Sequence, residues 1–362
     1  MKKRILFLLL PAAFFHIVQA QESALNNVLE YCPAPGQFVH ELPLYEKGDD
    51  AEKMAMKCLE SLQKNKPVSL GGFGGYITVG FDHPILNLPG QKDFQIMGNA
   101  FEGSAEPGIV MVSADTNGDG KPNDQWYELA GSEYTNPVTI HEYEITYTRP
   151  SGSEQSVPWK DNQGRNGTIE YMGGVVDFHK HPHFPEWITE NTLTFTGTCL
   201  PDNGSWDKEK KMWVMKAYAY GYADNYPNVN TEGCSFDIGW ATNADGEQVN
   251  LESIDFVRIY TGVNQQIPSE GVGELSTEVA GVHDLHPSAA KIYSPLSGKK
   301  QIAYYENGRI FIKDNEIKSF DIYDVKGHLI HQTHHFSDDF MLYLPKGIYI
   351  LRSNKGIFKL CI

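Results

Sequence analysis

Alternation of polar and apolar side chains over short segments is the feature that most constrains the fold of this chain. In residues 142–148, Tyr143, Ile145 and Tyr147 alternate with polar residues. A period of two is typical of a strand with one face in the core and one in solvent. Similar segments, separated by turn-forming residues, are 75–81, 93–101, 108–114, 192–199, 211–221 and 252–261. Many short strands of this kind predict an all-β, antiparallel jelly roll or β-sandwich.

One helix and two β-domains complete the predicted architecture. Apolar residues recur at helical spacing in residues 49–65, where Asp49 or Asp50 can cap the N-terminus. Residues 21–286 form the main domain, and residues 287–298 read as a linker. Residues 299–362 then predict a small C-terminal β-sandwich with short strands at 310–312, 320–325, 342–344, 348–351 and 358–360.

Residues 1–20 have the three parts of a secretory signal peptide. Lys2, Lys3 and Arg4 precede an apolar run, and Val18 and Ala20 supply small residues at a cleavage site. The alternative is an uncleaved N-terminal anchor. Cleavage would change the formal net charge from −16 to −19, because three basic residues are lost. Such a charge disfavours nucleic acid and anionic lipid as partners, and no later segment is apolar enough to cross a membrane.

Five widely spaced cysteines allow two interpretations. An exported protein can form disulfides, and the pairs Cys32–Cys58 and Cys199–Cys234 would leave Cys361 over. The alternative is that all five are free thiols. The absence of a C-x-x-C pair argues against a zinc or thioredoxin-like site.

Residues 115–124 resemble a calcium-binding loop. Alternate oxygen donors and a Lys121 carbonyl would coordinate the cation, with a later carboxylate completing the set. The candidate ligands are Asp115, Asn117, Asp119, Lys121 and Asp124. Trp126 occupies the position at which such loops carry a bidentate glutamate, so Asp124 or Glu128 would have to replace it. The alternative is a metal-free turn rich in Asn, Gly and Asp.

A tyrosine-rich segment is the candidate ligand-binding surface. If residues 211–221 form one strand that continues to Tyr222, then Tyr218, Tyr220 and Tyr222 share one face, opposite Trp213 and Met215. Aromatic planes can stack on sugars, and nearby polar groups can orient a ligand. The alternative is a strand buried on both faces. The complete predicted set is Tyr218, Tyr220, Tyr222, Asp224, Asn225, Tyr226 and Trp187.

Signatures of catalysis are weak. His179, His181 and His183 could bind a transition metal if they lay on one strand, but Pro182 favours an irregular loop that leads into Trp187. The chain has no G-x-S-x-G and no H-E-x-x-H motif. Acidic residues are plentiful, so a glycoside hydrolase or lyase stays an alternative to a binding protein.

The C-terminal segments resemble the sorting domain of type IX secretion substrates in Bacteroidetes. The segments that carry the resemblance are SFDIYDVKG at 319–327, LPKGIYI at 344–350 and FKL at 358–360. Such domains are small β-sandwiches that direct their cargo to the outer cell surface. The resemblance therefore implies secretion and surface display, with the secretion machinery as a partner.

Segments of the main domain resemble putative cell-surface proteins of gut Bacteroidetes. The matching segments are SLGGFGGYITVGFD at 69–82, WYE at 126–128, SFDI at 235–238 and IDFVRIY at 254–260. Some relatives are associated with cobalamin uptake at the outer membrane. The resemblance implies binding of an extracellular ligand. From the aromatic residues we expect a glycan, with cobalamin bound for an uptake system as the alternative.

Overall fold

A computed structural model describes residues 25–173, 180–267 and 272–287 of the main domain. In the C-terminal region it describes residues 303–306, 309–312, 319–333, 342–345, 347–353 and 356–361. The predicted signal peptide, residues 288–298 of the predicted linker and His179 lie outside these ranges.

Short antiparallel strands make up most of the described chain, together with helix α1 (Ala51–Leu62) and a 3-10 turn at Ile238–Trp240. The strands are β1 (Leu25–Cys32), β2 (Val68–Ser69), β3 (Tyr76–Leu86), β4 (Phe94–Met97), β5 (Gly108–Ser113), β6 (Trp126–Leu129), β7 (Ile140–Thr148), β8 (Val157–Asp161), β9 (Asn166–Ile169), β10 (Thr192–Cys199), β11 (Gly204–Asp207), β12 (Met212–Met215), β13 (Ser235–Phe236), β14 (Ala241–Thr242), β15 (Ser253–Thr261), β16 (Gln266–Ile267), β17 (Gly273–Glu274), β18 (Glu278–Val279), β19 (Gly281–Asp284), β20 (Ala303–Glu306), β21 (Arg309–Ile312), β22 (Phe320–Asp324), β23 (Leu329–Thr333), β24 (Ile348–Ser353) and β25 (Gly356–Cys361).

A six-stranded sheet of order β1-β3-β15-β5-β6-β14 forms the centre of the main domain. Both of its faces are buried, because alternate residues of its strands enter two different apolar clusters. On β15, for example, Ile259 belongs to one cluster and Tyr260 to the other. Burial on both faces explains why adjacent residues of β15, such as Phe256 and Val257, are both apolar.

Different elements cover the two faces of this sheet. The four-stranded sheet β10-β7-β8-β9 covers the face that carries Tyr260, and Phe73 and Tyr143 pack edge to face beneath it at 4.8 Å. Helix α1 and the small sheet β13-β4-β19 cover the other face. The predicted all-β, sandwich-like class with one N-terminal helix is therefore confirmed.

Helix α1 shows how local sequence sets an element. Asp50 caps its N-terminus and accepts a hydrogen bond of 2.9 Å from the N–H of Lys53. Met54, Cys58 and Leu62 follow at helical spacing and are buried against the sheet. Within the described residues no helix is long and apolar enough to span a membrane.

The C-terminal region contains the four-stranded sheet β23-β22-β24-β25 and the hairpin β20–β21. Predicted strands at 310–312, 320–325, 348–351 and 358–360 correspond to four of these elements, whereas residues 342–344 are not in a strand. Val325 packs against Leu86 and Leu88 of the main domain.

The cysteine alternatives are resolved for four of the five residues. Cys32, Cys58, Cys199 and Cys234 are all free thiols, so the suggested pairs Cys32–Cys58 and Cys199–Cys234 are wrong. Three of the four are buried and act as small apolar core residues.

Candidate functional site

The tyrosine-rich segment is not one long strand. Strand β12 ends at Met215, and the chain then follows an irregular path that turns at Gly221, where φ is +89°. A side chain at Gly221 would come within 2.5 Å of the Cα atom of Gly131, so glycine is needed there. The prediction that Tyr218, Tyr220 and Tyr222 share one strand face is therefore wrong.

The three tyrosines are not equivalent, because Tyr218 and Tyr222 pack edge to face at 5.4 Å whereas Tyr220 is exposed. The Tyr218 hydroxyl donates to the carbonyl of Pro201, and the ring is half-buried. Tyr222 is only 2 % exposed, and its hydroxyl accepts a hydrogen bond of 2.8 Å from the N–H of Glu133. Tyr220 is exposed, and the centroid of its ring lies 5.2 Å from that of Trp240. The Lys92 ammonium lies 3.8 Å from the centroid of the Trp240 ring in a cation–π contact.

Trp187 belongs to the core and not to this surface. It is 7 % exposed and packs on Tyr31, Tyr45 and His40 with ring centroids 5.4 to 5.9 Å apart. The buried Trp187 ring is therefore not available to stack on a sugar. His183 is also buried and accepts a hydrogen bond of 3.1 Å from the N–H of Met172, which fits a structural role.

Strand β12 instead forms one wall of a surface groove with a volume of about 660 Å³. Met215 faces the core, as the alternation predicted, whereas Met212 and Val214 line the groove. Lys210 in the turn before β12 and Lys216 directly after it line the groove at the two ends of this apolar wall. This groove is the candidate ligand-binding site.

The opposite wall comes from two distant parts of the chain. One part is the turn at residues 101–104, which contributes Phe101 and Glu102 and joins β12 through a bond of 2.8 Å from the Met215 N–H to the Gly103 carbonyl. The other part is the segment that follows Asp224. Its groove-lining residues include Asn225, Tyr226, Pro227 and Asn230. Phe101 is 66 % exposed, so its ring is accessible at the groove.

Asn225 and Tyr226 are thus the predicted residues that line the groove. The Asn225 amide accepts from the N–H of Tyr218 at 2.8 Å and donates to the Tyr218 carbonyl at 2.9 Å. These bonds supply partners for the N–H and carbonyl of Tyr218, which in a sheet would bond to a neighbouring strand. Tyr226 is half-buried, and its hydroxyl donates to the Ala219 carbonyl at 3.3 Å.

The buried Asp224 carboxylate connects backbone segments beneath the groove. One carboxylate oxygen accepts from the N–H groups of Asn99 and Ala100, both at 2.8 Å, and the other accepts from the N–H of Glu278 at 2.9 Å. A side chain at Gly98 would come within 2.2 Å of this carboxylate, so the contact requires glycine. Asp224 is buried and therefore has a structural role, not the predicted contact with ligand.

Asp224 also belongs to a group of three acidic side chains. Oxygen atoms of Glu106, Asp224 and Glu278 lie within 4.8 Å of one another. Burial raises the pKa of Asp224 to about 7 and that of Glu278 to about 8, where the charge of Asp224 adds to the effect. Burial also raises the pKa of Glu106 well above its ordinary value. These carboxyl groups therefore hold protons that exposed carboxylates would lose.

The predicted calcium loop is a compact turn organised by its own oxygens. The Asp115 carboxylate accepts from the N–H groups of Gly118, Asp119 and Gly120 at 2.8 to 3.1 Å. Asn117 accepts from the N–H of Asp119 at 2.8 Å. The arrangement matches the start of a calcium loop, but the same bonds would also stabilise a metal-free turn.

Two further acidic groups approach this loop. Asp255 of β15 accepts a hydrogen bond of 2.8 Å from the N–H of Asp115, and burial followed by the charges of Asp115 and Asp124 raises its pKa. One oxygen of Asp124 is buried without a hydrogen-bond partner in the described structure. An oxygen-rich donor set of this kind suits a hard cation, so calcium binding here stays a prediction.

Comparison with known proteins adds no assignment. No protein-family model matches the sequence, and no curated protein is significantly similar to it. The resemblances to surface proteins and to a sorting domain therefore stay expectations, and the groove is the basis for the functional proposal.

Proposed function

We propose that this protein is a secreted, surface-displayed binding protein for an extracellular glycan, which it binds in the groove between β12 and the turn at residues 101–104. The observation that carries the proposal is the exposed Phe101 ring beside an apolar wall with polar groups at its edges. Aromatic faces stack on the C–H groups of sugars, while amides and charged groups orient the hydroxyls.

The size and lining of the groove support this ligand class. A volume of about 660 Å³ lies within the range of small-molecule binding sites. The groove is open at the surface, and Asn230 has an exposed amide side chain at the wall that carries Tyr226. Glu102 is the acidic residue among those that line it in the described structure. The observed lining therefore favours binding over hydrolysis, for which two opposed carboxyl groups are usual.

Export and surface display form the second part of the proposal. The signal-like residues 1–20 and the sorting-like C-terminal segments support it. A formal net charge of −16 fits a protein that does not bind nucleic acid or anionic lipid.

A binding screen tests the proposal. The full exported chain is titrated by calorimetry with soluble oligosaccharides from plant and host polysaccharides, with cobalamin included. We expect at least one saccharide to bind, and Phe101→Ala to weaken its binding about tenfold or more, because loss of an aromatic anchor typically costs more than 1 kcal/mol. Tyr343→Ala, which removes an exposed aromatic side chain of the C-terminal region, is the matched control.

Three other outcomes would contradict the proposal. Binding of cobalamin without any saccharide would favour the uptake alternative. Release of reducing ends or unsaturated products would indicate a hydrolase or lyase. Saccharide binding that is unchanged by Phe101→Ala would place the site elsewhere on the protein.

A further inference from the structure

The hairpin that forms one wall of the groove carries a charge opposite to that of the chain as a whole. The formal net charge of the protein is −16. Residues 204–216, which contain β11 and β12, hold four lysines against Asp207 and Glu209, for a net charge of +2. The four lysines are Lys208, Lys210, Lys211 and Lys216.

Two of these lysines line the groove, one on each side of β12. Lys210 and Lys216 line it together with Met212 and Val214, so a cation stands at each end of an apolar strip. From Met212 to Lys216 the chain advances about 13 Å at the usual rise of a strand. Within the described residues Lys210 and Lys216 form no direct ion pair, although their charges act on nearby Asp207.

The pKa of a nearby acidic residue reflects the positive charge of Lys210 and Lys216. The pKa of Asp207 is lowered first by the N–H of Lys210 and further by the positive charges of Lys210 and Lys216. Glu102 is the acidic side chain among the described residues that line the groove, so two cations face one anion there. A positive site on a negative protein concentrates anionic ligands locally.

We propose that the groove prefers acidic saccharides, and that Lys210 and Lys216 bind the carboxylates of uronic acid residues while the apolar strip and Phe101 contact the sugar rings. The inference rests on the proposed glycan-binding function and names its ligand class. Each uronic acid residue carries one negative charge, so two lysines can balance two such residues. Multiply sulfated chains are disfavoured because the remaining surface of the protein repels them.

Matched ligands and variants test the inference. Oligouronates from galacturonan, alginate, glucuronoxylan and hyaluronan are each compared, by calorimetry, with the same oligosaccharide after reduction of its carboxyl groups to alcohols. We expect at least one uronate to bind about tenfold more tightly than its neutral partner at low salt. Lys210→Gln and Lys216→Gln should each weaken uronate binding about two- to fivefold more than they weaken binding of the carboxyl-reduced ligand.

Lys208→Gln is the control, because Lys208 lies on the same hairpin and does not line the groove. Added salt should reduce the preference for uronate by screening the charges. Equal binding of uronate and reduced ligand, or a preference unchanged in the double variant of Lys210 and Lys216, would overturn the inference while the glycan-binding function stands. Absence of binding to every saccharide, charged or neutral, would overturn both.

Discussion

The side-chain amide of Asn225 forms two hydrogen bonds, of 2.8 and 2.9 Å, with the backbone N–H and carbonyl of Tyr218. Asn225 therefore takes the place of a strand partner directly after β12 ends. Because Asn225 also lines the groove, the same pair fixes the shape of the proposed binding site.

We expect Asn225→Asp to destabilise the protein by about 1–3 kcal/mol, because the new oxygen would face the Tyr218 carbonyl instead of donating to it. The melting temperature should fall by about 2–4 °C for each kcal/mol. Asn166→Asp, at the exposed first residue of β9, is the control. Equal melting temperatures for the two variants would show that the pair with Tyr218 contributes nothing measurable.

The buried carboxyl groups predict a stability that decreases with rising pH. Burial raises the pKa of Glu278 from 4.5 to about 8, so the folded state holds this proton more tightly than the unfolded state. The free energy of unfolding must then fall as the pH rises from about 4.5 through 8.

Glu278→Gln removes this titration and keeps the side-chain shape. The melting temperature of the variant, relative to the unmutated protein, should rise by about 2–4 °C or more between pH 5 and pH 8.5. Glu60→Gln, on the exposed face of α1, should show no such trend. Burial lowers the pKa of His40 to about 3, which by itself makes stability rise with pH. Because both proteins contain His40, the difference between their melting temperatures at each pH does not include this effect. A constant difference would contradict the assignment of a raised pKa to Glu278.

Calcium should stabilise the protein if the loop at residues 115–124 binds it. At a hundredfold excess over Kd, a ligand that binds only the folded state contributes about 2.7 kcal/mol. Melting curves in millimolar calcium and in excess EDTA should therefore differ by several degrees, on the order of 2–4 °C per kcal/mol. Asp119→Ala should abolish the difference, and Asp202→Ala outside the loop should preserve it. Identical curves for the unmutated protein would leave a metal-free turn.

The main domain should fold without the C-terminal region. The apolar contact described between the two regions is that of Val325 with Leu86 and Leu88, so we expect truncation after residue 288 to expose little apolar surface. We expect a cooperative melt lowered by a few degrees, since the cost of this exposure is on the order of 1 kcal/mol. Aggregation, or loss of saccharide binding, would show that the two regions form one cooperative unit.

Export should remove the first twenty residues. The positive start, the apolar run and the small residues before Gln21 predict a mature chain that begins near this glutamine. N-terminal sequencing of the exported protein measures it directly. An intact Met1 in that material would support an uncleaved anchor instead.

The sequence by itself determined the elements whose signals are local. Alternation identified β3, β7 and β10, and the cap at Asp50 with the apolar spacing identified α1. Each of these signals depends on residues two to four positions apart, and burial of the resulting apolar faces agrees with them. The same alternation correctly turned Met215 toward the core, which leaves Met212, Val214 and Lys216 on the outer face of the hairpin.

Only the tertiary structure decided where the β11–β12 hairpin ends and which residues form the groove with its outer face. Asn225 and Gly221 redirect the chain after β12, so the tyrosines that looked equivalent by spacing do not form one exposed face. Phe101, some 110 residues before β12 in the chain, reaches the groove because Asp224 binds the backbone at Asn99 and Ala100. Contacts between a buried carboxylate and distant backbone N–H groups leave no periodic pattern in the sequence. The groove forms only because folding brings these distant segments together.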